Sequence, residues 1–491
     1  MHSGGNGANM VNPKTLVIKH HKDACKTQQL INKALRGEIE LNTLDLCSGI
    51  GMFTQACKYV SEVTSIKFKN IGYAEIDKGA IKAYKAINGE DVPFYEDIYK
   101  MDWKTLRRTH IVGAGFCCQD LSKANNQARG FDEGDTESKS SIIWEILSGI
   151  EQMDYDDKPI VIFLENVPDI LNEKHRENFE KLLNRLKRLG YYSSFKVLQA
   201  DDYGVPQMRK RFFLLATLGM DLGDAIFPAP TPLEVEFKDI LEKDVDSYFD
   251  METCTKRIDN SLSKPGNNWT LRIFNPSRAR VAYTLTTQMG RASDNLIFKE
   301  DVSDDEVIRA KHHFLNKKGL TREDIVSTPF RRLTPRECAR LMGLPEDRID
   351  KLLECGLSDS QVYHICGNSI CLNVMEALFE KYFNCLIDVS KEQVLSNEEI
   401  TSSLNEIISL HETMRKAYFF SSPQTAYERR RYEVHHSLST YFVYGGHEYE
   451  IKQVTECSVR NVYYKMNILI DGKGSTKDIR FIKKLLKEIQ C

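Results

Sequence analysis

Residues 41–53 read Leu-Asn-Thr-Leu-Asp-Leu-Cys-Ser-Gly-Ile-Gly-Met-Phe, a short apolar run that ends in a glycine-containing loop. Thr43–Leu46 reads as a buried strand, the loop turns at Gly49 and Gly51, and a helix begins after it. Glycines at such a turn let the backbone approach a ligand closely, and a helix N-terminus favours polar groups. A tight strand-to-helix turn with no ligand has the same pattern. Working outward, similar apolar runs recur at Ile71–Ala74, Ile111–Ala114, Ile160–Leu164 and Arg211–Leu215. Helical patterns lie between them. The clearest spans Glu173–Leu189, with Phe179, Leu182, Leu183, Leu186 and Leu189 on one face and Gly190 as its C-cap. Strands alternating with amphipathic helices predict an α/β chain with a mostly parallel, helix-covered sheet. Ligands of such sheets bind outside the carboxyl ends of the strands.

The bulk numbers set wide bounds. A chain of 491 residues has room for two to four domains. Its 67 Lys and Arg against 70 Asp and Glu leave a net charge of -3, so no global basic field announces a polyanion, although a basic cleft fits inside a neutral total. The thirteen cysteines are scattered, with no CxxC pair and no zinc spacing. That predicts reduced thiols, an intracellular protein and no metal site. The first residues, Met1–Lys14, lack the apolar core of a signal peptide, and no stretch approaches the length of a membrane span.

Four short motifs carry chemistry. After the second strand, Glu75 and Asp77 stand where an acidic residue accepts hydrogen bonds from ribose hydroxyls, and Asp97-Ile98 follow a third extended stretch. After Ile111–Ala114 comes Gly115-Phe-Cys-Cys-Gln-Asp-Leu-Ser122, which puts a thiol on a loop at the ligand edge. A cysteine there also serves as a small buried hydrophobe. Glu165-Asn-Val167 ends a core strand, where loss of solvation raises a carboxyl pKa and suits it to proton donation. Tyr203-Gly-Val-Pro-Gln-Met-Arg-Lys-Arg-Phe212 alternates Gln207, Arg209 and Arg211, which share one face of an extended chain. A solvated basic face reads alike.

In this order, the motifs resemble those of the cytosine-5 DNA methyltransferase family. Asp45–Phe53 is similar to its cofactor loop, Gly115–Ser122 to its Pro-Cys-Gln loop, Glu165–Val167 to its Glu-Asn-Val element and Gln207/Arg209/Arg211 to its Gln-x-Arg-x-Arg element. Arg332-Leu-Thr-Pro-Arg-Glu-Cys-Ala-Arg-Leu-Met-Gly343 and Gly367-Asn-Ser369 resemble its last two motifs, so the likeness runs from about Asn42 to Asn384. The resemblance implies a Rossmann-like, S-adenosylmethionine-dependent methyltransferase sheet with a smaller irregular target-recognition domain. It implies Cys118 as the nucleophile, chosen over Cys117 because it precedes Gln119, with Glu165, Arg209 and Arg211 as its catalytic companions. The cofactor is expected at Asp45, Ser48, Gly49, Ile50, Gly51, Phe53, Glu75, Ile76, Asp97, Ile98, Asn368 and Ser369. DNA is expected at Gln119, Ser122, Gln207, Arg278 and Arg280.

The implied reaction is methyl transfer from S-adenosyl-L-methionine to C5 of cytosine in double-stranded DNA, by a monomer whose biological counterpart is a cognate restriction endonuclease. Two departures stand out: Cys117 occupies the place of the family's usual proline, and Cys47 that of a frequent aromatic. The family's tRNA-methylating branch carries Pro-Pro-Cys-Gln and Cys-Phe-Thr elements, which this chain lacks. A non-catalytic regulatory member would lack the nucleophile or the glutamate, and both are present. The expected domains are an N-terminal extension 1–40, a catalytic domain 41–218 completed by 362–388, a target-recognition domain 219–361, and a C-terminal α+β extension 389–491. In the last, Gly445-Gly446 reads as a hairpin turn, and its tyrosines and lysines suit an accessory DNA-binding module as well as a plain solvated domain.

Overall fold

The computed structural model describes residues 21–106, 108–118, 120–121, 129–135, 137–243, 245, 272–287, 295–298, 300–303, 305–306, 330–392, 401–402, 404–405, 407–409, 436–444, 447–457, 462–470, 473–475 and 479–490. The chain divides into two compact units. One comprises Ala34–Thr217 and Gly223–Asn384; the other comprises Met1–Lys33, Leu218–Leu222 and Cys385–Cys491.

The first unit is built on a seven-stranded sheet. Its strands are β1 (Leu41–Leu46), β2 (Phe68–Ala74), β3 (Phe94–Tyr95), β4 (Ile111–Gly115), β5 (Val161–Asn166), β6 (Tyr191–Gln199) and β8 (Lys210–Leu218), with a separate two-residue β7 (Gln207–Met208) before the last. The order is β3-β2-β1-β4-β5-β8-β6. β1 pairs in parallel with β2 on one side and β4 on the other, and β5 continues the parallel run before β8 pairs against it antiparallel. The chain therefore winds outward in both directions from the β1/β4 boundary. At such a switch point the carboxyl-end loops diverge and leave a crevice.

Helices cover the sheet because the sequence gives each an apolar stripe. They are α2 (Met52–Val63), α3 (Lys78–Asn88), α4 (Ile142–Gln152) and α5 (Arg176–Arg188); α1 (His21–Leu35) precedes them in the chain and falls almost wholly in the other unit. α5 buries Phe179, Leu182 and Leu186, as its periodicity predicts; it starts at Arg176 because Glu173–His175 form a 3-10 turn first. Phe53 of α2 lies 5.9 Å from the Phe163 ring of β5 and 5.5 Å from Phe379. That aromatic stack needs the bare backbone of Gly113 on β4, because a Cβ there would overlap the Phe53 ring.

Between β8 and the last helices, the short strands β9 (Ile273–Phe274), β10 (Ala282–Tyr283), β11 (Leu296–Phe298) and β12 (Phe330–Arg331) form small pairings. β10 joins β7, and β11 joins β9 and β12. Then follow α6 (Pro335–Arg340), α7 (Glu346–Glu354), α8 (Asp359–Asn368) and α9 (Leu372–Glu392). A buried bidentate pair, Arg331 to Glu337 at 2.7 and 2.8 Å, locks β12 to α6, and Glu337 also closes the capping box of Thr334.

In the second unit, Thr27 donates to the Leu218 carbonyl at 2.8 Å and Gln28 to that of Ser390 at 3.2 Å. Its antiparallel sheet runs β13 (His436–Tyr444), β14 (His447–Cys457), β15 (Val462–Ile470), β16 (Lys473–Ser475), followed by α10 (Ile479–Gln490). β16, three residues long, closes the sheet beside β15. Ile451, Ile468, Ile482 and Leu485 form its core with Leu404 and Ile407. These last two fall in 392–415, most of which lies outside the described residues, as does the Gly445-Gly446 turn. Among the described residues no helix is long and apolar enough to cross a membrane.

Replacing Gly113 by Ala forces the Phe53 ring out of its stack. The expected loss is about 1–3 kcal/mol of stability, read from the chemical-denaturation midpoint; an unchanged midpoint would show that the ring has room to move.

Candidate active site at the sheet's switch point

Three loops meet at the carboxyl ends of β1, β4 and β5 because the strand register aligns them. Leu46 pairs with Ala74 and Ala114, and Gly115 pairs with Glu165.

The first loop is Cys47–Gly51. Cys47, Gly49 and Gly51 all adopt left-handed backbone, with φ of 49°, 55° and 86°. For Cys47 this is a strained conformation. The loop is held from beneath: Ser48 N–H donates to the Ala74 carbonyl at 3.0 Å and Gly49 N–H to Glu75 Oε2 at 2.8 Å. Glu75 Oε1 accepts from Ile76 and Asp77 N–H, so this carboxylate ties its own loop to the first. Asp77 caps α3 through Ala80 N–H, and Asp97 caps the turn at Tyr99 N–H. The Ser48 hydroxyl is buried with no partner among the described residues, and a Cβ on Gly49 would meet nothing within 4 Å. Ile76 stands 71% exposed.

Four residues expected at the cofactor, Asp45, Ile50, Phe53 and Ile98, have buried side chains. Ile50 and Phe53 belong to the core. Asp45 is buried, and accepts from Thr54 Oγ1 at 2.8 Å; Thr54 in turn meets Tyr84 OH at 3.0 Å and Asn70 Nδ2 at 3.0 Å. Burial pushes the Asp45 carboxyl up to about 8, with the nearby Glu75 adding to the rise. Ile98 is buried as well. Nothing local marks Asp45 and Phe53 as interior; their surroundings come from Tyr84, Asn70 and Phe163, distant in sequence.

The second loop carries Cys117 and Cys118, both half-buried. Asn166 Nδ2 donates to the Phe116 carbonyl at 3.0 Å, the Ser140 hydroxyl to the Cys117 carbonyl at 2.6 Å, and Leu121 N–H to the Cys118 carbonyl at 3.1 Å. Gln119 and Ser122 lie outside the described residues.

The third element is Glu165, at the end of β5. Arg211 on β8 sits 3.1 Å from its Oε1, with both side chains nearly buried. A Cβ at Gly115 would meet Glu165 Oε2 at 3.4 Å, an ordinary contact. Burial raises the Glu165 pKa, against the pull of Arg211 and Arg209. Cys118 is raised too, first by burial and then by the Glu165 charge, while the two arginines lower it. A thiol and a carboxyl that both resist ionisation, beside two cations, form a site able to hold one mobile proton and one latent nucleophile.

Gln207 and Arg209 do not share the face of Arg211. β7 pairs with β10 while β8 pairs with β5, so the extended run breaks at Arg209. Gln207, expected at DNA, is 0% exposed; its amide donates to the Leu341 carbonyl at 2.6 Å and accepts from Leu285 N–H at 2.8 Å. Arg209, 2% exposed, donates to the carbonyls of Leu285 (2.9 Å), Gly367 (2.8 Å) and Ser369 (2.5 Å). Desolvation lowers it to about 10. It braces the site without facing it. Ser369 is buried on this brace, whereas Asn368 is exposed, 3.1 Å from His364. Arg278 and Arg280 are exposed, the latter 3.0 Å from Glu236. Among the described residues no His, Cys, Asp and Glu group could hold a metal ion.

A family model described as C-5 cytosine-specific DNA methylase matches residues 41–384. A type II methyltransferase of Lactococcus lactis subsp. cremoris, M2.ScrFI, is 30% identical over 298 residues, covering 59% of this chain and 71% of its own. M.MspI, a type II methyltransferase of Moraxella sp, is 29% identical over 357 residues, or 73% of this chain and 74% of its own. The crystal structure of the S. pombe Dnmt2 methyltransferase superposes with a TM-score of 0.54 at 20% identity, covering 70% of this chain and 99% of that one; at that identity the likeness is one of fold.

Asp45 makes the site's support sensitive to pH. Its pKa is about 8 when folded, against the ordinary 3.8. The folded chain therefore holds a proton that the unfolded chain has lost, and stability falls as pH rises from about 4 to about 8, by ~1.4 kcal/mol per unit from this group. Asp45→Asn should flatten that decline between pH 5 and pH 7 in urea unfolding; parallel slopes for the two proteins would overturn the assignment.

Proposed function

The chain belongs to the C-5 cytosine-specific DNA methylase family, and we propose that it transfers a methyl group from S-adenosyl-L-methionine to C5 of cytosine in double-stranded DNA, with Cys118 as nucleophile. The convergence of Cys118, Glu165 and Arg211 beside the Cys47–Gly51 loop carries the reading.

The first loop suits the cofactor. An orphaned Ser48 hydroxyl, an open flank at Gly49 and an exposed apolar Ile76 are the features an adenosyl amino acid would satisfy. Ser48, Gly49, Gly51, Ile76, Asp97 and Asn368 would hold it, with Glu75 and Ser369 supporting the loops. When bound, it supplies an electrophilic methyl group on a sulfonium.

The chain's residues supply the rest. C5 of cytosine is a poor nucleophile, and the base must leave the stack to be reached. The Cys118 sulfur, as thiolate, adds to C6, and the electron pair of the C5–C6 bond shifts toward C5. Glu165, whose raised pKa keeps a proton within reach, donates toward N3 and stabilises the charge that develops there. Arg211 fixes one Glu165 oxygen and leaves the other for the base. After C5 is methylated, loss of the C5 proton to a base expels the thiolate and restores the ring. Arg209 is a positioning residue here. Exposed Arg278 and Arg280 fit the DNA backbone. A monomeric enzyme with a cognate restriction endonuclease as its counterpart is in line with relatives named type II methyltransferases.

In the C-terminal unit, α10 buries Ile482 and Leu485 and exposes Arg480, Lys483, Lys484 and Lys487. At i, i+3, i+4, i+7 spacing these cations form one stripe, which supports an accessory grip on DNA phosphates.

Purified protein with tritiated S-adenosylmethionine and duplex DNA should give 5-methylcytosine. Cys118→Ser should reduce the label to background and Cys117→Ser should not; label in RNA alone would reassign the substrate, and label from Cys118→Ser would remove the nucleophile. For the C-terminal grip, alanine at the four α10 cations should make DNA affinity less salt-dependent, by roughly 0.9 in log–log slope for each phosphate no longer neutralised. An unchanged slope would return α10 to a plain solvated face.

A further inference from the structure

Cys117 stands just before the proposed nucleophile, and its side chain does nothing to fix its own φ, as a proline ring would. The backbone is fixed from outside. Peptide groups are planar, so holding the planes on both sides of a Cα sets that residue's φ and ψ. Asn166 Nδ2 donates to the Phe116 carbonyl at 3.0 Å, which holds the plane entering Cys117. The Ser140 hydroxyl donates to the Cys117 carbonyl at 2.6 Å, which holds the plane shared with Cys118.

Ser140 is itself immobilised. It is 0% exposed, in a 3-10 turn (Lys139–Ser141) that leads into α4. Its neighbours are anchored to the same region: the Ser138 hydroxyl donates to the Gly130 carbonyl at 2.6 Å, the Ser141 hydroxyl to the Asp132 carbonyl at 2.8 Å, and Lys139 N–H to Asp120 Oδ2 at 2.8 Å. Asp120 lies two residues beyond Cys118, and its carbonyl accepts from Gly130 N–H at 2.8 Å. The turn thus grips the nucleophile loop on both sides of Cys118. Of these bonds, the one from Ser140 alone reaches the peptide that carries the Cys118 nitrogen.

We propose that Ser140 is a positioning residue for the reaction: its hydroxyl, through the Cys117 carbonyl, supplies by hydrogen bond the restraint that a proline at 117 would supply covalently. This rests on Cys118 being the nucleophile, and the Cys118→Ser control tests that separately. Alanine at 140 leaves the half-buried Cys117 carbonyl without its donor, which corresponds to about a 5- to 160-fold loss.

The experiment compares Ser140→Ala, Ser140→Thr and Ser140→Ala/Cys117→Pro in the full chain. Ser140→Ala is expected to lower kcat by that factor, with KM for S-adenosylmethionine unchanged because the Cys47–Gly51 loop is untouched. Its Cys118 should also react faster with iodoacetamide, followed by peptide mass spectrometry, because a loosened loop exposes the thiol. A general loss of folding would also speed alkylation of the buried Cys57 and Cys338, so faster reaction confined to Cys118 is what separates a positioning role from unfolding. Threonine keeps the hydroxyl and should keep most activity, and proline at 117 should restore kcat and slow alkylation in the alanine background. If Cys118→Ser is inactive but Ser140→Ala turns over normally, or if its loss appears only in KM, the inference fails while the nucleophile stands. A loss that proline does not relieve would likewise overturn it and leave Ser140 a packing residue.

Discussion

A guanidinium sealed from water holds the first unit's site together. Arg209 gives its protons to three carbonyls, those of Leu285, Gly367 and Ser369, which lie 76, 158 and 160 residues further along the chain. Each bond is charge-assisted, and each ends on backbone, so the arginine fixes main-chain position rather than any one side chain. Burial costs it part of its basicity, yet at about 10 it remains charged near neutrality. Gly367 is a glycine because the Thr286-Thr287 backbone passes where its Cβ would be. The arginine and the glycine together let two distant loops close against the strand that carries Arg211.

That closure sets the electrostatics of the reacting groups. Cys118 and Glu165 are acids whose anions repel each other in a poorly solvated place, and two arginines oppose both effects. Moving either arginine outward would leave the thiol and the carboxyl more firmly protonated. Moving Glu165 outward would ease the thiol's ionisation but remove the proton held for the base. For the proposed reaction, the arrangement is a compromise between a sulfur that would have to ionise and a carboxyl that would have to keep its proton.

Much of this was legible in the sequence where the signal is local. Short apolar runs ending in Gly49, Gly115 and Glu165 place strand ends, and strand ends in a parallel sheet place the crevice. Where the answer depended on partners far along the chain, local pattern misled. Gln207, Arg209 and Arg211 alternate as if on one strand, but β7 and β8 belong to different pairings and the alternation breaks at Arg209. Phe53 sits in a motif that faces the crevice, yet a glycine at 113 opens a slot for it in the core. Ser140 gives no sequence signal, because a hydroxyl bonded 23 residues away has no period to follow.

The second unit draws on both ends of the chain. Its bonds from Thr27 to Leu218 and from Gln28 to Ser390 span 191 and 362 residues. On a ribosome adding 5–20 residues per second, the amide of Gln28 waits on the order of 20 to 70 s for its acceptor to be made. Ala34–Thr217 and Gly223–Asn384 are synthesised in that interval. The terminal unit is therefore the last to assemble during translation, and a ribosome that stops between residues 385 and 389 releases every residue of the first unit together with a Gln28 amide whose acceptor was never made.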